Sequence, residues 1–319
     1  MAAPAGASNS TFSRRVAPFV PVALSLLLSR SILPVAAPEG EAEAPNANGG
    51  APVVATCEAD IGSVEVCHSY YPTGCSKSAH PAYDPYLNLL KNQLLPPSSP
   101  ALLQLDRQAF IDLNSKTPAG LRTGNHAQFS QQLGALQEGQ VASLIGYLYY
   151  AQYGGKSESV NCQLGDPDEI DFHIGIGFDP TLAGKLSQHQ RLTPDENATL
   201  EPTSVIVEMT PHYRAHFEPD WTLDALKNVL GRQVRVTGQL LIDNEHVAGN
   251  ANCGAPHADT SKCWRFSAWE LHPVTKFEIC QSDSQPCAAG DWVALEAMPQ
   301  AASNNSPANS APAAGAKTR

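Results

Sequence analysis

Two periodicities divide the chain. Between Asp84 and Leu94 the apolar positions Leu87, Leu90 and Leu94 recur at helical spacing, with Asp84 placed to cap the helix and Pro96-Pro97 to end it. Residues 101–139 stay helical in pattern, interrupted by Pro118 and glycines. From Val141 onward the period changes to alternation, the signature of half-buried strands. Five segments carry it: 141–152, 170–178, 204–210, 233–243 and 265–279. In the second, Ile170, Phe172, Ile174, Ile176 and Phe178 share one face, while Asp171, His173, Gly175 and Gly177 share the other. Gly146 and Gly238 fall where a coiled strand bends at a barrel corner. Between the third and fourth segments, Leu223, Leu226 and Leu230 predict a helix over 221–230, with Asp220 or Thr222 as cap and Gly231 as stop.

Three strands, a helix and two strands is the order of the OB-fold, a five-stranded Greek-key barrel. A small sandwich with one helix has the same order. The expected fold class is therefore α+β, mainly β: an OB-like barrel preceded by a helical segment. The barrel is expected over 140–298, behind a cysteine-containing helical and irregular segment at 56–139.

The ends of the chain read differently. Arg14 and Arg15, the apolar run 16–28 and the small-residue triplet Val35-Ala36-Ala37 predict a signal peptide over 1–37. Arg30 and the prolines at 18, 21 and 34 oppose the alternative, a retained membrane helix. Residues 38–55 and 299–319 are low in large apolar side chains and read as a disordered linker and tail. The mature chain is thus expected to be exported, periplasmic or extracellular. All eight cysteines follow the presumed cleavage point, and an even count in an exported chain favours disulfides. Cys253 and Cys263 bracket a short polar loop between two apolar segments and are expected to pair. A zinc module is the competing reading of the cysteines, but the chain has no Cys-x-x-Cys.

The 319 residues carry 20 Lys+Arg against 31 Asp+Glu, a net charge of −11, which disfavours a nucleic-acid partner. Between positions 141 and 280 acids outnumber bases 18 to 10. Tyr147 and Tyr149, with Tyr150, offer a stacking surface without a Lys/Arg cluster beside it, which suits an oligosaccharide, peptide or protein ligand. Nucleophile elbow, phosphate loop, His-Glu-x-x-His and dinucleotide fingerprint are all lacking in the sequence.

Polar chemistry concentrates on the strands. Asp171 with His173, Asp243 with His246 and Glu270 with His272 form three carboxylate–imidazole pairs, with Glu208 on the third strand. If the strand ends meet, these groups form a ligand-binding site, and Asp171, His173, Glu270 and His272 are candidate ligands for zinc or another divalent metal able to activate water. The bland alternative is a solvated barrel face. His212 and His216 are four apart, but Pro211 and Pro219 suggest a loop, so no site is expected there.

Several motifs resemble an uncharacterised family of exported bacterial proteins. They are YDPYLNLLKNQ from Tyr83, GYL from Gly146, Cys162, DFHI from Asp171, VRVTGQLLID from Val234 and WELHPVTKFEIC from Trp269. The resemblance spans positions 83 to 280. It implies an OB-like barrel in an exported protein with no established activity, and it suggests that Cys162 pairs with Cys280. The loop 244–262 departs from the pattern.

The expected function is non-covalent recognition by an exported, disulfide-stabilised binding or structural module, with no required cofactor. The alternative is a metal-dependent hydrolase on Asp171, His173, Asp243, His246, Glu270 and His272. A purely structural envelope component is a third class.

Overall fold

A computed structural model describes residues 56–57, 61–76, 83–156, 158–282 and 286–298. The signal peptide, linker and tail expected from sequence lie outside the described residues. The chain opens with α1 (Val64–Tyr70) and α2 (Pro85–Lys91), followed by β1 (Leu103–Leu105), α3 (Arg107–Lys116) and α4 (Ser130–Ala135). Then come β2 (Val141–Tyr153), β3 (Phe172–Gly177), α5 (Pro180–Ser187), α6 (Pro194–Thr199) and β4 (Val205–Met209). The final elements are α7 (Pro211–Phe217), α8 (Leu223–Lys227), β5 (Gln233–Ile242), β6 (Trp269–Cys280) and β7 (Trp292–Ala294).

The five long strands close on themselves. β2 pairs β3, β3 pairs β4, β4 meets β6 in parallel, β6 pairs β5, and β5 returns to β2. This is a five-stranded mixed barrel with the OB-like strand order, as the sequence predicts. Two short strands extend it beyond that expectation: β1 runs parallel to β2, and β7 runs antiparallel to β6. The segment from 101 is thus not helical at its start.

Alternation sets the barrel interior. Phe172, Ile174 and Ile176 of β3 enter a core shared with Leu144 and Leu148, Val205 and Val207, Val234 and Val236, and Leu271 and Phe277. The helix between the third and fourth barrel strands is shorter than predicted. Thr222 caps α8 by accepting from the amide of Ala225, and Trp221, Leu223, Leu226 and Val229 plug the core. At Gly238 the β5–β6 register shifts, facing the stretch where Pro273 of β6 has no N–H to donate. A Cβ on Gly238 would stand 2.7 Å from the Pro273 carbonyl, so the close approach there requires glycine.

Four disulfides staple this frame: Cys57–Cys75, Cys67–Cys162, Cys253–Cys263 and Cys280–Cys287. The expected Cys253–Cys263 bond is present. The Cys162–Cys280 pairing is corrected, because α1 lays Cys67 against the turn that carries Cys162. Cys280 instead closes a short loop with Cys287 as the chain turns back into β7. No helix among the described residues is long and apolar enough to cross a membrane.

Candidate functional site

The outward faces of β3, β4 and β6 gather the polar residues that alternation had set opposite the core. His173 and Glu208 are direct cross-strand partners, and His173 Nε2 lies 3.4 Å from Glu208 Oε2. The same carboxylate oxygen is 3.1 Å from His272 Nδ1, which also bonds Glu270 Oε1 at 3.2 Å. Glu270 accepts from the guanidinium of Arg265. Arg265 in turn stands 3.8 Å from Asp243, which accepts from Lys91 Nζ at 2.9 Å and lies 3.0 Å from His246 Nδ1. At the other end, Glu158 is 3.7 Å from His173. Acids and bases alternate along the whole chain of contacts.

The three predicted pairs therefore converge, although their face is not solvated. Glu208, Asp243, Glu270, His272 and Arg265 are all buried, while His173, His246 and Glu158 keep partial access to solvent. Around the face stand α2 with Asn88 and Lys91, the turn with Ser159 and Val160, and Trp264 directly after the Cys253–Cys263 bond. Lys91 follows Leu87 by one helical turn on α2, so docking the Leu87–Leu90 side of that helix drives its ammonium into the face. Asp171 sits beside the network, accepting from Asn161 Nδ2 at 2.7 Å.

Burial alone would discharge these groups, and their neighbours reverse that. Burial lowers the His173 pKa, but Glu208, Glu158 and Asp171 outweigh it and hold the value at about 10. His272, likewise penalised by burial, is held at about 9 by Glu208 and Glu270. Burial pushes the Glu208 and Asp243 carboxyls up, yet the imidazoles and Lys91 hold both well below the usual range. Lys91, despite burial, stays well above the ordinary lysine value beside Asp243. At the margin, burial and the Asp171 charge raise Glu158 to about 8, and burial and Asp243 raise Glu245 to about 7.

The network opens into a pocket of about 360 Å³, lined by Lys91, Glu158, His173, Glu208, Asp243, Glu245, His246 and Trp264 among others. Trp264 is half-buried at its edge, with the His246 ring edge-on at 5.0 Å and the Arg265 guanidinium 5.4 Å from its ring centroid. The Cys253–Cys263 bond fixes the residue immediately before it. Sequence reasoning passed over Lys91, Glu158, Glu245, Trp264 and Arg265. The one local signal was a Trp-Arg pair directly after a cysteine expected to be bonded.

Tyr147 and Tyr149 do not belong to this site. Both are buried under α5 with Leu182 and Ala183, and Tyr149 Oη donates to the Asp179 carbonyl and accepts from its amide. Gly175 and Gly177 of β3 make room for the rings of Tyr150 and Tyr149. The expected stacking surface is therefore the seat of a helix.

Two further sets of groups have metal-ligating chemistry. Asp171, Glu208 and His272 present donor atoms within 4.8 Å of one another, all buried, and His272 Nε2 and Asp171 Oδ1 have no hydrogen bond. The second set corrects the expected loop at His212 and His216. Pro211 occupies the first position of α7, where its missing N–H is harmless, so the segment is a helix with both histidines on one side. They face Glu65 of α1.

The fold and site define a disulfide-stapled OB-like barrel with a charged pocket on its outer face. The chain matches no family model, no curated protein and no solved structure. The site must be read from its own geometry.

Proposed function

We propose that this protein is an exported binding module that recognises a small polar ligand of the carbohydrate class in the barrel-face pocket, without covalent chemistry. The observation that carries this reading is the pairing of a half-buried Trp264 with a wall of fixed donors and acceptors. Lys91 and His246 donate, Glu208 and Asp243 accept, and each is held in place by a partner inside the network. Sugar rings present an apolar face and a rim of hydroxyls, which such a wall and an aromatic plane satisfy together. The net charge of −11 disfavours polyanions. Four disulfides and the leader-like first 37 residues favour an oxidising space outside the cytoplasm. The resemblance to an exported bacterial family, resting on the quoted motifs, agrees with that placement.

Tryptophan fluorescence and calorimetry against a panel of neutral and amino-sugar oligosaccharides, acidic and basic peptides and single-stranded nucleic acid test the reading. Saturable binding of an oligosaccharide, lost in Trp264→Ala, supports it. Binding of peptide or nucleic acid alone, or sugar binding indifferent to Trp264→Ala, overturns it.

One observation favours a second reading, a metal-dependent hydrolase. Asp171, Glu208 and His272 hold their donor atoms close enough for one cation. Against it stands the pKa of about 9 at His272, since an imidazolium must lose its proton before it can ligate. One zinc per chain that disappears in His272→Gln, together with ester or amide hydrolysis, would establish this second reading.

A further inference from the structure

We propose that α1 and α7 together form a surface binding site for a divalent transition metal of the zinc class, with Glu65, His212 and His216 as its three protein ligands. The helical spacing supplies two of them, because residues four apart on α7 project from one side. The third comes from the first turn of α1, and the Cys67–Cys162 bond two residues further on ties that helix to the body of the protein. Glu65 Oε1 lies 3.7 Å from His216 Nδ1 and 4.0 Å from His212 Nε2, and all three donor atoms fall within 4.8 Å of one another. Donors around a tetrahedral zinc at about 2.1 Å stand roughly 3.4 Å apart. Small side-chain rotations close that gap, and the Glu65 and His216 side chains are both half exposed and free to make them.

The environment of His212 is that of a ligand. Its Nδ1–H donates to the Asn92 carbonyl at 3.2 Å, which turns Nε2 toward the Glu65 carboxylate, 4.0 Å away. A backbone carbonyl on the far nitrogen is the usual device that orients a metal-bound imidazole. His68, one turn beyond Glu65 on α1, stacks on the His212 ring at 4.4 Å between centroids and fixes its plane. With two of the three ligands exposed, the fourth position faces water, so the site is open to an exogenous donor. It shares no residue with the barrel pocket, and its success or failure is separate from the proposed ligand binding.

The test uses the full mature chain, dialysed against chelator and titrated with zinc by calorimetry, then with cobalt to read coordination from the visible spectrum. The expected result is one ion per chain, a tetrahedral cobalt spectrum and a zinc-dependent rise in Tm. All three should vanish in His212→Ala/His216→Ala, and affinity should fall at least tenfold in Glu65→Gln. Near-UV circular dichroism confirms that each variant is folded, and His212→Gln serves where the double variant is not. Zinc binding unchanged in these variants overturns the proposal, as does its loss in His272→Gln with these three residues intact. Failure to bind zinc or cobalt overturns it as well.

Discussion

His173 and Glu208 stand opposite one another on β3 and β4, and the imidazole lies 3.4 Å from a carboxylate oxygen that it shares with His272. Two imidazoles on one buried carboxylate make a proton-dependent joint. His173 and His272 have folded pKa values of about 10 and about 9, above the unfolded value of 6.5. Their stabilisation is complete below about pH 6.5 and is lost as pH rises through 9 and 10. Glu158, raised to about 8, erodes stability in the same direction from about pH 4.5 upward. Glu208 and Asp243 are shifted down, so their contribution is present above the ordinary carboxylate range and disappears as pH falls. Urea unfolding across pH 4 to 10 is therefore expected to peak near pH 5 and fall toward alkaline pH, by at most ~1.4 kcal/mol per unit for each group. His173→Gln should flatten the alkaline limb. A flat or rising limb between pH 6.5 and 9.5 in the parent protein would contradict the joint.

Lys91 tests the far end of the network. It is buried, bonds Asp243 at 2.9 Å, and joins α2 to the end of β5 across 152 residues of sequence. Lys91→Met keeps the apolar stem and removes the charge, leaving Asp243 to His246 and the more distant Arg265. The expected cost is about 3 kcal/mol, the range for breaking one side of a buried pair. Lys91→Met/Asp243→Asn, which removes both charges, should recover much of that loss. A single variant as stable as the parent would show that the pair contributes nothing.

Much of the barrel was legible because its cause is local. The alternation of Phe172, Ile174 and Ile176, the Leu223–Leu226 stripe and the caps at Asp84 and Thr222 each follow from a few neighbouring residues. β1 and β7 were not legible, since strands of three residues carry no periodicity and exist only by pairing with β2 and β6. The polar face was half legible. Alternation puts His173 and Asp171 opposite the core, but whether that face meets water depends on α2, which packs through Leu87 and Leu90 on Leu241 from a distant part of the chain. Lys91 and Arg265 sat unmarked for the same reason: a buried cation is defined by partners far away in sequence. At His212 the difference is local: Pro211 and Pro219 suggest a loop, yet the first turn is where a helix accepts proline, and Pro211 stands there.

The disulfides are expected to differ in weight. Cys67 and Cys162 are 95 residues apart and Cys280 and Cys287 only 7. If the main effect is on the unfolded chain, the loop-closure relation assigns about 4.7 kcal/mol to the first and about 2.4 kcal/mol to the second. Cys67→Ala/Cys162→Ala and Cys280→Ala/Cys287→Ala, compared by urea unfolding at one pH, should rank in that order. Equal costs, or the reverse order, would mean that native-state contacts around α1 and β7 outweigh the chain entropy.

The seat of α5 gives the sharpest steric test. The Tyr149 ring lies over Gly177, and its hydroxyl holds both the amide and the carbonyl of Asp179 just before the helix begins. A methyl group at 177 would occupy the space of the ring, and with both residues buried in packed strands neither can step aside cheaply. Gly177→Ala is therefore expected to cost about 1–3 kcal/mol by overpacking. Removing the ring should relieve the clash, so Gly177→Ala/Tyr149→Ala should be more stable than the two single losses predict. Gly177→Ala/Tyr149→Phe keeps the ring and should show no such relief. Additive losses in the first double variant would place the Tyr149 ring away from Gly177 and remove the reason why a strand so rich in glycine carries a helix on its outer face.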